Sequence, residues 1–187
     1  MNEKPYHHGN LRNMLIEAGI ELINEVGVKG FSLRKVAAKC QVSHTAPYSH
    51  FKDVDDLINA MGEHVTEQFV NKLKEAIQGL EGTPGAISKL GRAYIAFFLE
   101  NPLYFQFLFS NYRLTIDMDK ESPDDYPPYA LFRRTAMDLF KSVNLPQEEH
   151  SARLFALWAM VHGSASLLTN PGIKYTGNWQ DVFRKVF

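Results

Sequence analysis

The sequence predicts an all-α protein with two helical domains. Apolar residues recur at intervals of three and four along most of the 187-residue chain, and no useful length alternates with the period of two that a half-buried strand requires. Glycine and proline interrupt this pattern, most clearly in the 79–85 segment, which holds three glycines and one proline. We therefore expect an N-terminal domain over 1–53, a connecting helix over 53–77 and a helical domain over 83–187.

Composition narrows the class of protein. Hydrophobic residues make up 45% and charged residues 22% of the chain, which favours a globular fold over disorder. The formal net charge is −1, so any basic surface must be local. A single cysteine, Cys40, excludes an internal disulfide and suits a reducing compartment. The longest apolar run, Leu154–Val161, is far shorter than the ~20 residues of a membrane helix. We expect a cytoplasmic protein without a signal peptide or membrane span.

Four helix signals follow one another in the first 77 residues. Apolar residues repeat at helical spacing from Leu11, and Gly27 supplies a stop. Serine and aspartate, which are favoured N-caps, precede the later apolar stretches. The predicted helices are Leu11–Val26, a short helix capped by Ser32, a second short helix from Ser43 to about Tyr48, and the connecting helix that begins at Asp53.

Two short helices joined by a three-residue turn, after a longer helix, form the plan of a helix-turn-helix. In such a motif the second helix enters the major groove and the first crosses the DNA backbone. Residues 29–52 hold five lysine or arginine residues and no aspartate or glutamate, in a chain that is slightly acidic overall. A solvated helix face would also explain five such charges, but together with the helix spacing they favour contact with phosphates. The first domain is therefore predicted to bind duplex DNA.

The C-terminal domain is predicted to contain helices separated by proline and asparagine. The last long helix is apolar nearly all round, which predicts burial both in its own domain and against a partner. The predicted elements are a helix from Thr83 to Phe98, a break at Asn101–Pro102, a short aromatic helix over 103–109, a polar loop over 113–128, a helix from Tyr129 to Val143, a helix from Pro146 to Thr169, and a short amphipathic tail from Trp179.

Several N-terminal motifs together resemble one family. Residues 9–12 (Gly-Asn-Leu-Arg), 30–37 (Gly-Phe-Ser-Leu-Arg-Lys-Val-Ala), 42–43 (Val-Ser) and 48–51 (Tyr-Ser-His-Phe) look like the DNA-binding domain of TetR-type repressors. The resemblance covers roughly residues 9–62 and is nearly without gaps. It implies a homodimer, a palindromic operator and a C-terminal domain that binds a small-molecule ligand.

The resemblance and the residue chemistry predict the DNA contacts together. Ser32 and the free amides at the start of its helix can hold a phosphate. His44, Thr45 and Ala46 begin the recognition helix, where the hydroxyl of Thr45 or a methyl group can meet a base edge. Tyr48 and His50 match family positions that bond to phosphates, whereas Phe51 is assigned to the core. The predicted DNA-binding residues are Ser32, Arg34, Lys35, Ser43, His44, Thr45, Ala46, Tyr48, His50 and Lys52.

Three departures from the family pattern bear on this prediction. Gln41 stands where the family usually has glycine, at a turn that needs a positive φ. Val54 replaces a frequent lysine, and aspartates at 53, 55 and 56 would repel DNA unless they are turned away. Pro47 removes an early backbone hydrogen bond. We therefore expect a recognition helix that is tight or irregular at its start.

The C-terminal domain carries a shorter resemblance. Trp158, His162 and Gly163 resemble the Trp…His-Gly signature of one TetR subgroup. His162 and Trp158 could line a ligand pocket, or they could lie buried in a dimer core. Aromatics at helical spacing are more often core than pocket, yet a sensor needs an apolar cavity with a few polar groups. The predicted pocket residues are Phe98, Tyr104, Phe105, Arg113, Tyr129, Phe132, Trp158 and His162.

The predicted function is a homodimeric DNA-binding regulator, a repressor released by an apolar or aromatic small molecule. The helices around 128–143 and 146–169 would form a four-helix dimer core. The residues assigned to that interface are Phe140, Phe155, Ala159, Gly163 and Ser166.

Two alternatives stay open. One is a DNA-binding regulator that has no ligand or that responds to a protein partner, and the other is a helical small-molecule binder or enzyme whose DNA binding is vestigial. No catalytic pattern, cofactor motif or metal site is found. His64 and Glu67 share a helix face but lack a third metal ligand.

Overall fold

A computed structural model describes residues 11–120, 122 and 125–186, with side chains as far as Phe183. Every regular element in these ranges is helical, which confirms the predicted all-α class. No helix within them has the length and apolar character needed to cross a bilayer. The α-helices are α1 (Leu11–Gly30), α2 (Leu33–Lys39), α3 (Val54–Ile77), α4 (Pro84–Glu100), α5 (Pro102–Gln106), α6 (Pro127–Ser142), α7 (His150–Thr169) and α8 (Trp179–Val186). Two 3₁₀ helices (Ala46–Ser49 and Gln147–Glu149) and one π-helical turn (Phe107–Asn111) complete them.

The described chain divides into two compact units. The first unit contains residues 11–65 and 106–113, and the second contains residues 66–105 and 114–186. The division thus falls inside α3, whereas the glycine-rich 79–85 segment, where the predicted connecting helix gives way to the predicted C-terminal domain, is the turn between α3 and α4. The reason is that α3 stays continuous and buries apolar side chains along its whole length, with Leu57, Met61 and Val65 in the first unit and Phe69, Leu73 and Ile77 in the second.

The aspartates at 53 and 56 cap the N-terminus of α3. The Asp56 amide donates to Asp53 Oδ1 at 2.9 Å, and Asp56 Oδ2 accepts from the Lys52 amide at 2.8 Å. These bonds satisfy amides that the first helical turn leaves without intrahelical partners. Negative charge is also favourable at this end of the helix dipole. The acidic run therefore has a structural role in starting α3.

Two positive φ angles shape the first unit. Gly27 has φ 68° inside α1, so the regular helix ends at the predicted glycine before a last turn to Gly30. Gln41 has φ 57° in the turn after α2. Glutamine therefore occupies the left-handed conformation that favours glycine, with the strain that this conformation imposes on a residue with a β-carbon.

The second unit packs α4 against both α6 and α7. Shortly before α6, the side chain of Asp125 is buried. Asp125 accepts hydrogen bonds from the amides of Asp117 (3.2 Å) and Ser122 (2.9 Å). Further along the chain, Phe183 of α8 is 3% exposed and lies against Gly91 of α4. The short C-terminal tail is thereby held on the helical core of this unit.

Candidate functional site

The helix-turn-helix presents several polar side chains at the surface of the first unit. Tyr48 is 61% exposed, whereas Phe51 is 2% exposed and lies under the Arg12 guanidinium, 5.4 Å from the ring centroid. Phe51 is therefore a core residue, whereas Tyr48 is not and remains available for contact with DNA. Arg34 and Lys52 are exposed, and no carboxylate in the described part of the chain pairs with either side chain. Their charges are available to an external anion.

Two other cations of this basic segment have partners inside the unit. Lys39 Nζ contacts the carboxylates of Glu25 at 2.8 Å and Glu21 at 3.1 Å, and the hydrogen bond to Glu25 is the main reason why the pKa of Lys39 is raised. Lys35 Nζ donates to the Gly30 carbonyl at 2.7 Å, at the end of α1. The five cations thus differ in their availability to DNA, and their spacing along the chain does not reveal this difference.

The recognition segment is shorter and tighter than an α-helix. His44 and Thr45 lie in a turn, and the 3₁₀ helix begins only at Ala46, with Pro47 in its first turn. The prediction that His44 and Thr45 begin the recognition helix is therefore wrong, while the expected irregular start is confirmed. The tightening follows from Pro47, which donates no backbone hydrogen bond. The hydroxyls of Ser43 and Thr45 lie 3.0 Å apart and fix the turn.

The remaining predicted DNA contacts lie around this segment. Ser32 Oγ accepts from the Lys35 amide at 3.3 Å, so it caps α2 at the helix start where a phosphate was expected. His50 follows the 3₁₀ helix and is partly exposed, with its ring 6.3 Å from that of Phe51. All ten predicted DNA-binding residues belong to the first unit.

An aromatic cluster lies within the second unit. Trp158 of α7 is at its centre, with edge-on contacts from Tyr94 (5.5 Å), Tyr129 (5.0 Å) and Phe132 (5.2 Å) between ring centroids. His162 stacks on Trp158 at 6.3 Å and meets Phe105 at 5.2 Å. The members of the aromatic cluster are Tyr94, Phe98, Phe105, Tyr129, Phe132, Trp158 and His162.

Tyr94 is a member that sequence reasoning did not place in the site. Its hydroxyl shares a hydrogen bond with His162 Nδ1 at 3.0 Å, and its side chain is fully buried. Tyr94 precedes Phe98 by one helical turn on the same face of α4, and that spacing could have revealed it. Burial lowers the pKa of His162 and raises the pKa of Tyr94 well above its usual range. Both groups are therefore uncharged at neutral pH.

Tyr129 carries a buried polar atom that lacks a good partner. Its hydroxyl lies near Arg133, yet it makes no hydrogen bond of good geometry with any described residue. The Arg133 guanidinium donates instead to the carbonyls of Met118 and Asp119. Burial raises the pKa of Tyr129, which keeps the hydroxyl protonated. A buried hydroxyl without a partner costs about 1–3 kcal/mol, which a ligand acceptor could recover.

Two predicted site residues lie outside the sites assigned to them. Arg113 belongs to the first unit, where it lines a polar groove with Asp55, Asn59 and Asn111, and is not a member of the aromatic cluster. The same segment, residues 106–113, contains Phe107 and Leu108, and both of these side chains are buried. Tyr104 lies at the cluster's edge, with its ring 6.1 Å from that of Phe97 and its hydroxyl accepting from Gln68.

Phe140 is also misplaced by the sequence prediction. It is 3% exposed, and its ring packs on His150 at 5.2 Å, across the turn between α6 and α7. A side chain buried in this way within its own unit is not available to a partner chain. Phe140 is therefore removed from the predicted dimer interface.

The other four residues assigned to that interface share one side of α7. Phe155, Ala159, Gly163 and Ser166 follow one another at intervals of four, four and three residues. Phe155 is 61% exposed, and Ala159 and Ser166 are exposed as well. A β-carbon added at Gly163 would meet nothing within 4 Å. We call these four residues the exposed α7 face.

No cluster of three or more His, Cys, Asp or Glu side chains suited to a metal occurs among the described residues. His64 does not act with Glu67, because its Nε2 lies 2.7 Å from Glu17 Oε1 of α1. Cys40 donates to the Met14 carbonyl, and burial raises the pKa of its thiol, which disfavours the reactive thiolate.

Comparison with known proteins identifies both parts of the chain. A family model described as "Bacterial regulatory proteins, tetR family" matches residues 15–61, and one described as "Tetracyclin repressor-like, C-terminal domain" matches residues 87–186, more than half of the chain. The class A tetracycline repressor protein from transposon 1721 of Escherichia coli is 41% identical over 51 residues, 27% of this chain and 24% of the repressor. A nicotine-responsive transcriptional repressor of Paenarthrobacter nicotinovorans is 31% identical over 70 residues, 37% of this chain and 36% of that protein.

The chain thus spans well under two thirds of the length of these two curated relatives. Similarity in fold extends much further. The crystal structure of a TetR-family transcriptional regulator from Haemophilus influenzae superposes with a TM-score of 0.68 over 95% of this chain and 94% of that one, at 18% identity. At that identity the likeness shows the fold alone, and the family rests on the sequence matches. The chain belongs to the TetR family of transcriptional regulators.

Proposed function

We propose that this regulator is a repressor that binds a palindromic operator as a homodimer and is released by an apolar or aromatic small molecule. The observation that carries the DNA-binding part is the contrast between exposed and buried residues of the helix-turn-helix. Tyr48 and Arg34 are exposed, while Phe51 and Leu33 beside them lie in the core. Such a surface can meet phosphates without any rearrangement of its scaffold.

The unequal pairing of the cations supplies a sharp test. Arg34→Ala removes an exposed charge with no carboxylate partner, whereas Lys39→Ala removes a charge already balanced by Glu21 and Glu25. We expect Arg34→Ala to weaken operator binding roughly fivefold to tenfold and to reduce the slope of log affinity against log salt by about one. Lys39→Ala should change both quantities little. Equal losses in the two variants would contradict this account of the DNA surface.

The exposed α7 face is proposed as the centre of the homodimer. Its small residues allow two helices to approach closely, and Phe155 supplies a large apolar group near one end. In a dimer of this kind the two recognition segments must lie about 34–36 Å apart to enter successive major grooves. A two-fold axis between two copies of α7 would match the two-fold symmetry of a palindromic operator.

The aromatic cluster is proposed as the ligand site. Its rings offer an apolar environment, and the buried Tyr129 hydroxyl offers a hydrogen bond. One relative is named as nicotine-responsive, which supports a small organic molecule as the regulator here.

Chain connectivity suggests how the ligand would affect DNA binding. Phe105 touches His162 in the second unit, and the residues that follow it, 106–113, belong to the first unit. Within the first unit this segment is fastened by the Asn111 side chain, which donates to Asn24 of α1 at 3.3 Å. We propose that a ligand which displaces Phe105 shifts residues 106–113, because they follow Phe105 directly in the chain. A coupling of about 1–3 kcal/mol would weaken operator binding roughly 5- to 150-fold.

The ligand proposal is tested with Trp179→Phe protein, in which Trp158 is the only remaining tryptophan. Titration with 1-naphthol should change Trp158 fluorescence in a saturable way. Tyr129→Phe in the same background should weaken 1-naphthol and leave naphthalene, which has no hydroxyl, unaffected. Absence of a saturable change, or equal losses for both compounds, would argue against a site with Tyr129 as a polar contact.

A further inference from the structure

A separate cavity of about 230 Å³ lies in the second unit between α4, α7 and α8. Ile95 contributes from α4, Ser164 and Leu168 from α7, and Trp179 and Phe183 from α8. On α7, Ser164 and Leu168 are one turn apart and point to a different side of the helix from Trp158 and His162. The cavity is therefore distinct from the aromatic cluster.

The wall formed by α8 is held by a specific contact. Phe183 is 3% exposed, and a β-carbon at Gly91 would come within 3.0 Å of Phe183 Cε1. A β-carbon at this distance would require the ring to shift by a few tenths of an ångström, so Gly91 favours the close approach of α8 to α4. Trp179, one turn before Phe183, meets that ring edge-on at 6.3 Å. The α8 side of the cavity is thus held by defined packing, while Leu167, Ile173 and Val182 of its lining are exposed to solvent.

One charged residue borders this apolar space. Lys174, in the segment between α7 and α8, is the only charged residue of the lining among the side chains that the structure describes. No carboxylate within the described ranges lies in ion-pair distance of its ammonium group. An apolar cavity beside an unpaired cation is complementary to a molecule with an alkyl tail and a single negative charge.

The volume limits the size of such a molecule. A water molecule occupies about 30 Å³ in the liquid, so 230 Å³ accommodates roughly eight groups of that size. Drug-sized ligands occupy larger cavities, of about 300–1,000 Å³. We propose that this cavity binds a medium-chain monocarboxylate, with the alkyl chain between α4, α7 and α8 and the carboxylate at Lys174. This binding goes beyond the proposed repressor function and does not depend on it.

The test uses the full chain with Trp158→Phe, which leaves Trp179 in the cavity as the only tryptophan. Sodium octanoate should change Trp179 fluorescence saturably, with one molecule bound per chain by calorimetry. Lys174→Gln, at an exposed position, should weaken octanoate about tenfold, because a charge-assisted bond is lost. It should leave 1-octanol, with the same tail and no charge, unchanged. Lys89→Gln, an exposed lysine of α4 outside the lining, is the matched control.

Ser164→Leu fills the cavity from the α7 side and should abolish binding of both octanoate and 1-octanol. The proposal is overturned if octanoate gives no saturable signal, if Lys174→Gln binds it as tightly as the parent, or if Lys89→Gln loses as much affinity as Lys174→Gln. Closure of the cavity by a second copy of the chain would also overturn it, and would appear as octanoate binding only after dissociation into monomers. DNA binding is not measured, so failure here is distinguishable from failure of the repressor proposal.

Discussion

The phenol ring of Tyr112 packs directly against the backbone of Gly62 in the first unit. A β-carbon placed at Gly62 would overlap the ring, so any other residue there forces Tyr112 to move. Tyr112 follows the π-helical turn Phe107–Asn111, and Asn111 is bonded to Asn24 of α1. The segment 106–113 is therefore held against both α1 and α3, and Gly62 is the point of closest approach.

Gly62→Ala should destabilise the protein by about 1–3 kcal/mol through overpacking, despite the better helix propensity of alanine. Urea unfolding measures the change. Adding Tyr112→Ala should make Gly62→Ala neutral or stabilising, because the obstructing ring is gone. Gly85→Ala, where a β-carbon meets only Thr83 Oγ1 at 3.8 Å, is the control and should not destabilise. If Gly62→Ala behaved like Gly85→Ala, the close packing of Tyr112 would be refuted.

Gln41→Gly should stabilise the helix-turn-helix. Gln41 has φ 57°, and removing its β-carbon relieves a strain of about 1–2 kcal/mol, partly offset by the greater freedom of glycine in the unfolded chain. A net gain of up to about 1 kcal/mol is expected in thermal unfolding. Asn144→Gly is the matched variant, at φ 51°, and should gain less because asparagine tolerates this region. A loss of stability in Gln41→Gly would contradict the observed turn.

The stability of the protein should fall on acidification because of His162. Burial lowers the pKa of His162 from its ordinary value of 6.5, so below that value the unfolded chain takes up a proton that the folded chain does not. The stability that the uncharged His162 contributes is fully present above pH 6.5, and it is lost as the pH falls through the pKa of His162 in the folded chain. Urea unfolding between about pH 7.5 and about pH 5 should show a shallower loss for His162→Gln than for the parent. Parallel curves would contradict the buried, uncharged state of His162.

Ala159→Glu should separate the proposed homodimer into monomers. The position is exposed within the chain, so the substitution leaves the fold intact, whereas two glutamates facing each other across a two-fold axis would repel and lose solvation. Light scattering after size exclusion gives the mass, with circular dichroism as the check on folding. Ala38→Glu, at an exposed position of α2, is the control and should remain dimeric. A dimeric Ala159→Glu protein would place the interface elsewhere.

Local signals predicted much of the fold. Gly27 correctly predicted the end of the regular part of α1, and Pro47 correctly predicted a tight recognition segment. The pairing of Lys39 with Glu25 joins residues 14 apart on different helices, so the sequence could not show that this cation is neutralised. Arg113 was misassigned for the same reason, because its segment belongs to the first unit through contacts such as that of Asn111 with Asn24, 87 residues apart in the chain. The pairing of Lys39 and the location of Arg113 both depend on contacts between residues distant in the chain, which the periodicity of the sequence does not reveal.

Selection of binding sites from random duplex DNA, followed by measurement of the affinity of the selected site against salt, tests the central claim most directly. The account predicts an enriched palindrome, with half-sites about one helical turn apart, and an affinity that falls by roughly a hundredfold or more between about 50 and about 200 mM salt. A selection without enrichment, with only weak binding that ignores sequence, would contradict it.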